Sequence, residues 1–303
     1  MTDALTGQVA VVTGGGKGLG RAFALHLAGL GAAVVVNNRN REVDDDGLGP
    51  ADHVVAEIIS RGGRAVAEHG DVANPATAAA IVAAAIGEFG SLDICVTSAA
   101  VSRPQLFHRT TPENLRAVLE INVIGTALVA AEAMAVMRKS GRGSIIMVAS
   151  SAGLHGEPTV SAYAASKGAV ITLARTAAVE GQRRGVRTNV VLPYATTQMT
   201  ADGMDPELAD AMRAELVAPI VGALADPACT LNGEVIVAAG GGLRATDTVE
   251  FGTVRIPPGV RLSPAGLVDL LAASRSVAPR TYPEAHAAFV DLAGDLATAT
   301  EPA

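Results

Sequence analysis

This chain has only two cysteines in 303 residues, Cys95 and Cys229, too few and too far apart for a disulfide framework or a zinc site. Such scarcity suits a reducing compartment, and the expected location is the cytoplasm. No sustained basic run occurs, and a net charge of −7 leaves no electrostatic footprint for nucleic acid or an anionic membrane. Arg183, Arg184 and Arg187 form a local cluster near an expected helix end, where cations suit the dipole. Residues 1–7 lack the basic and apolar regions of a leader, and no apolar run reads as reaching the roughly eighteen residues of a membrane span. A soluble, unprocessed chain without internal repeats is therefore expected.

What the chain does have is apolar residues, 49% of the total, enough to bury a large core. Short β-branched runs alternate with longer helix-period stretches, the signature of successive βα units around a parallel sheet. Strands are expected at 9–13, 33–37, 64–67, 92–96, 144–148, 187–192 and 234–237, each apolar on both faces. Helices are expected at 18–30, 51–61, 76–89, 123–139 and 161–182. The fold class is α/β, a doubly wound parallel sheet of the Rossmann type with about seven strands and helices on both faces. Residues 39–50 read as a polar exposed loop, and prolines accumulate after the glycine triplet at 240–242. The expected division is a catalytic and cofactor-binding domain at 1–245 and a helical or irregular extension at 246–303. Two short helices, 264–274 and 282–296, are expected there, packed on the body or on a neighbouring subunit.

Chemistry concentrates in Tyr163-Ala-Ala-Ser-Lys167, with Ser150 thirteen residues before the tyrosine at the end of an apolar run. Four residues apart on a helix, Tyr163 and Lys167 project from one face about one turn apart. A phenol with a reference pKa near ~10 is a poor acid–base at neutral pH, and a drop of roughly three units needs about 4 kcal/mol from its neighbours. A desolvated ammonium supplies part of that, and Ser150 is placed to hold a substrate oxygen against the phenol. Tyr and Lys at this spacing also occur on solvated helix faces, so the pair alone names nothing.

A second signal precedes it. Thr13-Gly-Gly-Gly-Lys-Gly-Leu-Gly20 lies between the first strand and the first helix, where such a fold turns its backbone toward a pyrophosphate. Its glycine spacing departs from the usual dinucleotide fingerprint, but its position supports dinucleotide binding. After the second strand an acidic side chain would select free ribose hydroxyls. This chain has Asn37-Asn38-Arg39 instead. Arg39 and Lys17 then suit a 2′-phosphate, favouring NADP, with NAD as the alternative.

Together, the glycine loop, Asn122, Ser150 and Tyr163-x-x-x-Lys167 resemble the short-chain dehydrogenase/reductase family, over about residues 5–242. The second strand with its long loop, the 51–58 segment and Gly62-Gly63 look more narrowly like the (3R)-hydroxyacyl-CoA dehydrogenase unit of peroxisomal multifunctional enzymes. The resemblance implies that Tyr163 donates or accepts the proton, that Lys167 lowers its pKa and binds the nicotinamide ribose, and that Ser150 polarises the substrate carbonyl. It implies that Asn122 fixes a water linking Lys167 to solvent. It further implies cofactor contacts from Gly14, Gly16, Lys17, Gly18, Leu19 and Gly20 in the loop, and from Asn38 and Arg39 after the second strand. Asp71 and Val72 would meet the adenine, with Ser98, Ala99, Ala100, Pro193 and Thr197 completing the site. The implied reaction is hydride transfer between a nicotinamide and a carbonyl or secondary alcohol of 3-oxoacyl, steroid-like or polyketide-like type. The implied assembly is a homodimer or homotetramer through residues 111–120, 123–139 and 161–182. A dinucleotide sensor that binds a partner through its tail is the competing expectation.

Some residues depart from the family pattern. Thr97-Ser-Ala-Ala100 replaces Asn-Asn-Ala-Gly, and Tyr194 follows Pro193 where glycine is usual, leaning into the substrate cleft or capping the nicotinamide pocket. Thr197 sits one residue short of its expected spacing. His155 borders the expected active-site mouth, while His26 and His108 have no metal-ligand company, so no metal is expected. Met199, Met204 and Met212 suit either a mobile apolar flap or core packing.

Overall fold

The computed structural model describes residues 4–39, 43–198, 206–256, 259 and 261–297. Met199 and Met204, like residues 40–42 of the polar loop, lie outside them. In chain order the first half comprises β1 (Val9–Thr13), α1 (Gly18–Gly29), β2 (Ala33–Asn37), α2 (Pro50–Ser60), β3 (Arg64–Glu68), α3 (Pro75–Phe89) and β4 (Ile94–Thr97). There follow α4 (Pro112–Leu119), α5 (Thr126–Ser140), β5 (Gly143–Val148), α6 (Ala152–His155), α7 (Ser161–Gln182) and β6 (Val186–Tyr194). Then come α8 (Pro206–Ala209), α9 (Ala218–Ala225), β7 (Val235–Ala239), β8 (Gly242–Thr246), α10 (Pro264–Arg275) and α11 (Ala285–Ala297).

The strands form one sheet in the order β3-β2-β1-β4-β5-β6-β7-β8, and neighbouring strands from β3 to β7 all run parallel. Their β-branched runs are buried on both faces, as parallel strands between two helical layers must be. Alternate residues divide into two cores. Val12, Val34, Val96 and Val148 pack with α1, α2 and α9, whereas Val11, Val35, Cys95 and Met147 pack with α3, α5 and α7. The chain winds outward from β1 to β3 and then returns to β4 on the other side of β1. That reversal opens a crevice at the carboxyl ends of β1 and β4, where such sheets bind ligands.

Some expectations need correction. The sheet has an eighth strand: Gly240 and Gly241, with φ of 53° and 78°, form a two-residue turn that feeds β8 back beside β7. Strand β4 starts at Ile94 rather than residue 92, because the buried Asp93 carboxylate takes the Val9 N–H at 3.0 Å and replaces a ladder bond. The expected helix at 123–139 becomes α5 only from Thr126, since Glu120–Gly125 winds as a π-helical turn. Finally, Pro112–Ser140 is one continuous helical run of 29 residues, with an 18-residue window of mean hydropathy 1.6. Such a window is long and apolar enough for a span by composition, and 39% of it is buried in the fold, with Val129, Ala130, Ala133 and Met137 in the core.

The chain folds as two compact units, Met1–Ala245 and Thr246–Ala303. In the second unit, Ser263 caps α10 by accepting the Gly266 N–H at 3.0 Å. Asp291 accepts from Arg280 and Tyr282, each at 2.5 Å, which fastens the chain before α11. Residues 282–284 are spent on that approach, so the second tail helix starts at Ala285 rather than 282.

Candidate active site

Strand β1 ends in Thr13, whose hydroxyl oxygen accepts the N–H groups of Ser98 and Ala99 at 3.1 and 3.2 Å. This ties the loop after β4 to the glycine loop across the crevice. Glycine is required there. Gly14 has φ of 64°, and a Cβ on it would lie 2.8 Å from the Ala99 Cα, while a Cβ on Gly20 would overlap the Gly14 carbonyl oxygen. A Cβ at Gly18 would stand 3.5 Å from the Thr197 side chain, so Thr197 overhangs the same loop. Gly16 packs on Pro50, half-buried Leu19 joins the core, and Lys17 sits exposed at the N-cap of α1. A side-chain-free cradle at the positive end of a twelve-residue helix fits a dinucleotide pyrophosphate.

The far end of the crevice lies beyond β2. Asn37 is buried and donates to Glu68 Oε2 at 2.5 Å and to the Gly70 carbonyl at 3.0 Å, locking the ends of β2 and β3 together. Next to it, the Asn38 N–H bonds the Glu68 carbonyl. Arg39 Nη1 donates to Asp71 Oδ2 at 2.9 Å. Two residues singled out separately from the sequence are thus one ion pair. Val72 packs under the π-helical turn, where a Cβ on Gly125 would meet it at 2.7 Å.

Helix α7 carries Tyr163 and Lys167 one turn apart. Lys167 is 3% exposed, its Nζ donates to the Val148 carbonyl at 2.8 Å, and it lies 5.6 Å from the centre of the Tyr163 ring. Burial pushes the ammonium down to about 8. The tyrosine departs from expectation: burial raises its pKa, and the opposing contribution is the hydrogen bond from Ser150 rather than the lysine charge. A lysine pinned to the end of β5 lies beside the ring as an ammonium that burial has made easier to deprotonate. Ser150 also accepts the Ala152 N–H at 3.2 Å, which fixes its approach from β5. Asn122 is fully buried in the π-helical turn and exchanges two hydrogen bonds with the Val101 backbone, at 2.8 and 3.0 Å. A phenol, a hydroxyl and a buried amine by the carboxyl end of β5 can pass a proton to an oxygen.

Residues 8–207 match the family described as short chain dehydrogenase. The chain belongs to the short-chain dehydrogenase family. It is 37% identical over 237 residues to the peroxisomal multifunctional enzyme type 2 of Drosophila melanogaster, covering 78% of this chain and 39% of that enzyme. It is also 37% identical over 254 residues to a hydroxyacyl-CoA dehydrogenase of Mycobacterium tuberculosis, covering 79% of each. The crystal structure of a short chain dehydrogenase from Mycobacterium avium aligns with a TM-score of 0.79 at 34% identity, over 92% of this chain and 98% of that one. The relation to the dehydrogenase unit of multifunctional enzyme type 2 is thereby established, and with it the oxidoreductase class and the family's nicotinamide cofactor.

Where this short-chain dehydrogenase departs from the family pattern, the structure gives positions. Thr97 ends β4 buried, with its hydroxyl unpartnered among the described residues, and Ala100 follows in the loop. Tyr194 ends β6 at 48% exposure, on the parity of Val190 and Leu192 and hence on the α7 side of the sheet. Pro193 is half-buried beside Ala238. Met212 lies where the chain returns after α8, its carbonyl accepting the Thr196 N–H at 2.6 Å. His155 is exposed at the end of α6; His26 is half-buried on α1, and burial lowers its pKa. Two residues escaped the sequence reading. Thr13 was legible as the last strand residue before the glycines, and Ser166 as the serine inside the Tyr-Lys motif.

Proposed function

We propose that this enzyme interconverts 3-oxoacyl and 3-hydroxyacyl thioesters, using NADP(H) in preference to NAD(H). The observation that carries the reaction is Lys167, an amine 3% exposed and 5.6 Å from the centre of the Tyr163 ring. A protein that merely binds a dinucleotide has no need of a phenol beside that ammonium. When bound, the nicotinamide supplies or takes the hydride. Gly14, Gly18 and Gly20 admit the pyrophosphate to the start of α1. Ser150 holds the substrate carbonyl oxygen by donating a hydrogen bond to it. In reduction the Tyr163 hydroxyl gives its proton to that oxygen; in oxidation the phenolate takes it back. Lys167 keeps positive charge beside the phenol and donates toward the ribose, and Asn122 anchors the loop after β4 behind it. Assignment of the acyl thioester follows the relative named as a hydroxyacyl-CoA dehydrogenase.

Support for NADP comes from the two residues that follow β2, Asn38 and Arg39, an amide and a cation rather than an acidic side chain. Arg39 is held by Asp71, so a 2′-phosphate would share its guanidinium with that carboxylate. Turnover of a 3-oxoacyl thioester series, followed by nicotinamide absorbance, tests both points. Wild type is expected to prefer NADPH, and Arg39→Ala to weaken NADPH about 10–100-fold with NADH nearly unchanged, the value of hydrogen bonds to a charged group. Equal losses for both cofactors would reject the clamp, and no turnover with any carbonyl would reject the enzyme reading.

We further propose self-association along α5 and α7. Between them Ala127, Ala131, Met134, Leu173 and Ala177 line an apolar hollow of about 270 Å³, and such small residues permit close symmetric helix packing. Light scattering is expected to give a dimer or tetramer; a monomer at micromolar concentration removes the proposal.

A further inference from the structure

Between Tyr163 and Lys167 lies Ser166, which the proton-transfer scheme leaves unused. It is fully buried. Its hydroxyl donates to the Tyr163 carbonyl at 2.7 Å and accepts from Asn122 Nδ2 at 2.9 Å. The second Asn122 N–H goes to the Val101 carbonyl, while its oxygen takes the Val101 N–H. Val101 continues the loop whose Ser98 and Ala99 N–H groups are held by Thr13 and whose Ala99 packs on Gly14. An unbroken path thus runs from the cofactor cradle through half-buried Val101 and the fully buried Asn122 and Ser166 to the backbone of Tyr163. Helix formation does not ask for this serine. Alanine is the better helix former, and a serine bonded back to the carbonyl three residues earlier tends to bend a helix. Asn122 does ask for it, because without the hydroxyl one of its two donors is buried and unpaired.

We propose that Ser166 is a positioning residue: through Asn122 and the Tyr163 carbonyl it sets where the Tyr163 phenol stands relative to the dinucleotide cradle. This rests on the reading of Tyr163 as the proton-transfer group. Misplacement of a reacting group by about 1 Å costs up to about 100-fold in rate without weakening binding. Ser166→Ala is therefore expected to lower kcat at least about tenfold, with KM and dinucleotide Kd within about twofold of wild type. Because the hydroxyl acts through Asn122, adding Ser166→Ala to Asn122→Ala should cost less than about a further twofold. Ser166→Thr keeps a hydroxyl that can make the same backbone bond, and is expected to hold kcat within about threefold of wild type. Wild-type kcat in Ser166→Ala, or losses that multiply in the double variant, overturns the proposal. So does a Thr variant that binds dinucleotide normally yet is as slow as the Ala one. Tyr163→Phe in the same assay separates the two failures: if its turnover is undiminished, the proton-transfer reading falls, whereas a Phe variant slowed about 100-fold or more beside a fully active Ser166→Ala removes only the role of Ser166.

Discussion

Tyr163→Phe is expected to lower turnover by about 10²–10⁴-fold, the usual worth of a positioned general acid–base. The change deletes one oxygen and leaves the ring where it lies, one turn before Lys167. Its packing contribution stays. Dinucleotide affinity should consequently remain within about threefold, since the cradle of Gly14, Gly18 and Gly20 is untouched. In the wild-type protein burial raises the phenol, so at neutral pH Tyr163 carries the proton that carbonyl reduction consumes. Alcohol oxidation needs the phenolate and is expected to speed up as pH rises. Steady-state kinetics in both directions, with calorimetric titration of the dinucleotide, reads these quantities. A dinucleotide sensor predicts no turnover in either protein, and an undiminished Phe variant would sink the assigned chemistry.

The second large effect belongs to Lys167. Burial lowers its pKa from 10.5 to about 8, so it is mainly charged at neutral pH and neutral at pH 9. The kcat/KM for the dinucleotide in reduction reports the free enzyme, and above about pH 8 it should fall about tenfold per pH unit as the ammonium disappears. Lys167→Met, with no charge to lose, should be slower by about 100-fold or more and lack that limb. Stability moves the other way. The folded state binds fewer protons than the unfolded one between about pH 8 and 10.5, so folding becomes more favourable as pH rises through that window. Below it the desolvation penalty stands in full. Thermal melts should show wild type gaining on Lys167→Met across the window, and parallel melting curves would contradict a buried, titrating lysine.

Local patterns carried most of the architecture. Parallel strands between two layers must be apolar on both faces, which made β1, β2, β5 and β6 readable, and α7 fell on its expected limits. Elements defined by a distant partner were less readable. The start of β4 depends on Asp93 reaching Val9, and the π-helical turn accompanies the bonds that tie Asn122 to Val101. β8 was hidden because a glycine triplet reads as an ending until its two positive-φ residues turn the chain back.

The candidate site divides the same way. Residue type and spacing along the chain determined the kind of chemistry: a phenol and an amine one helical turn apart, a serine at a strand end and glycines before a helix. Tertiary structure decided the electrostatics and the couplings. It lowers Lys167 and raises Tyr163 because both lose water, pairs Arg39 with Asp71 from beyond the ends of β2 and β3, and closes the path from Thr13 through Asn122 and Ser166 to Tyr163. The physical reason is that residue type and neighbour spacing are properties of the chain, whereas desolvation and hydrogen bonding between segments tens of residues apart exist only once the sheet has assembled.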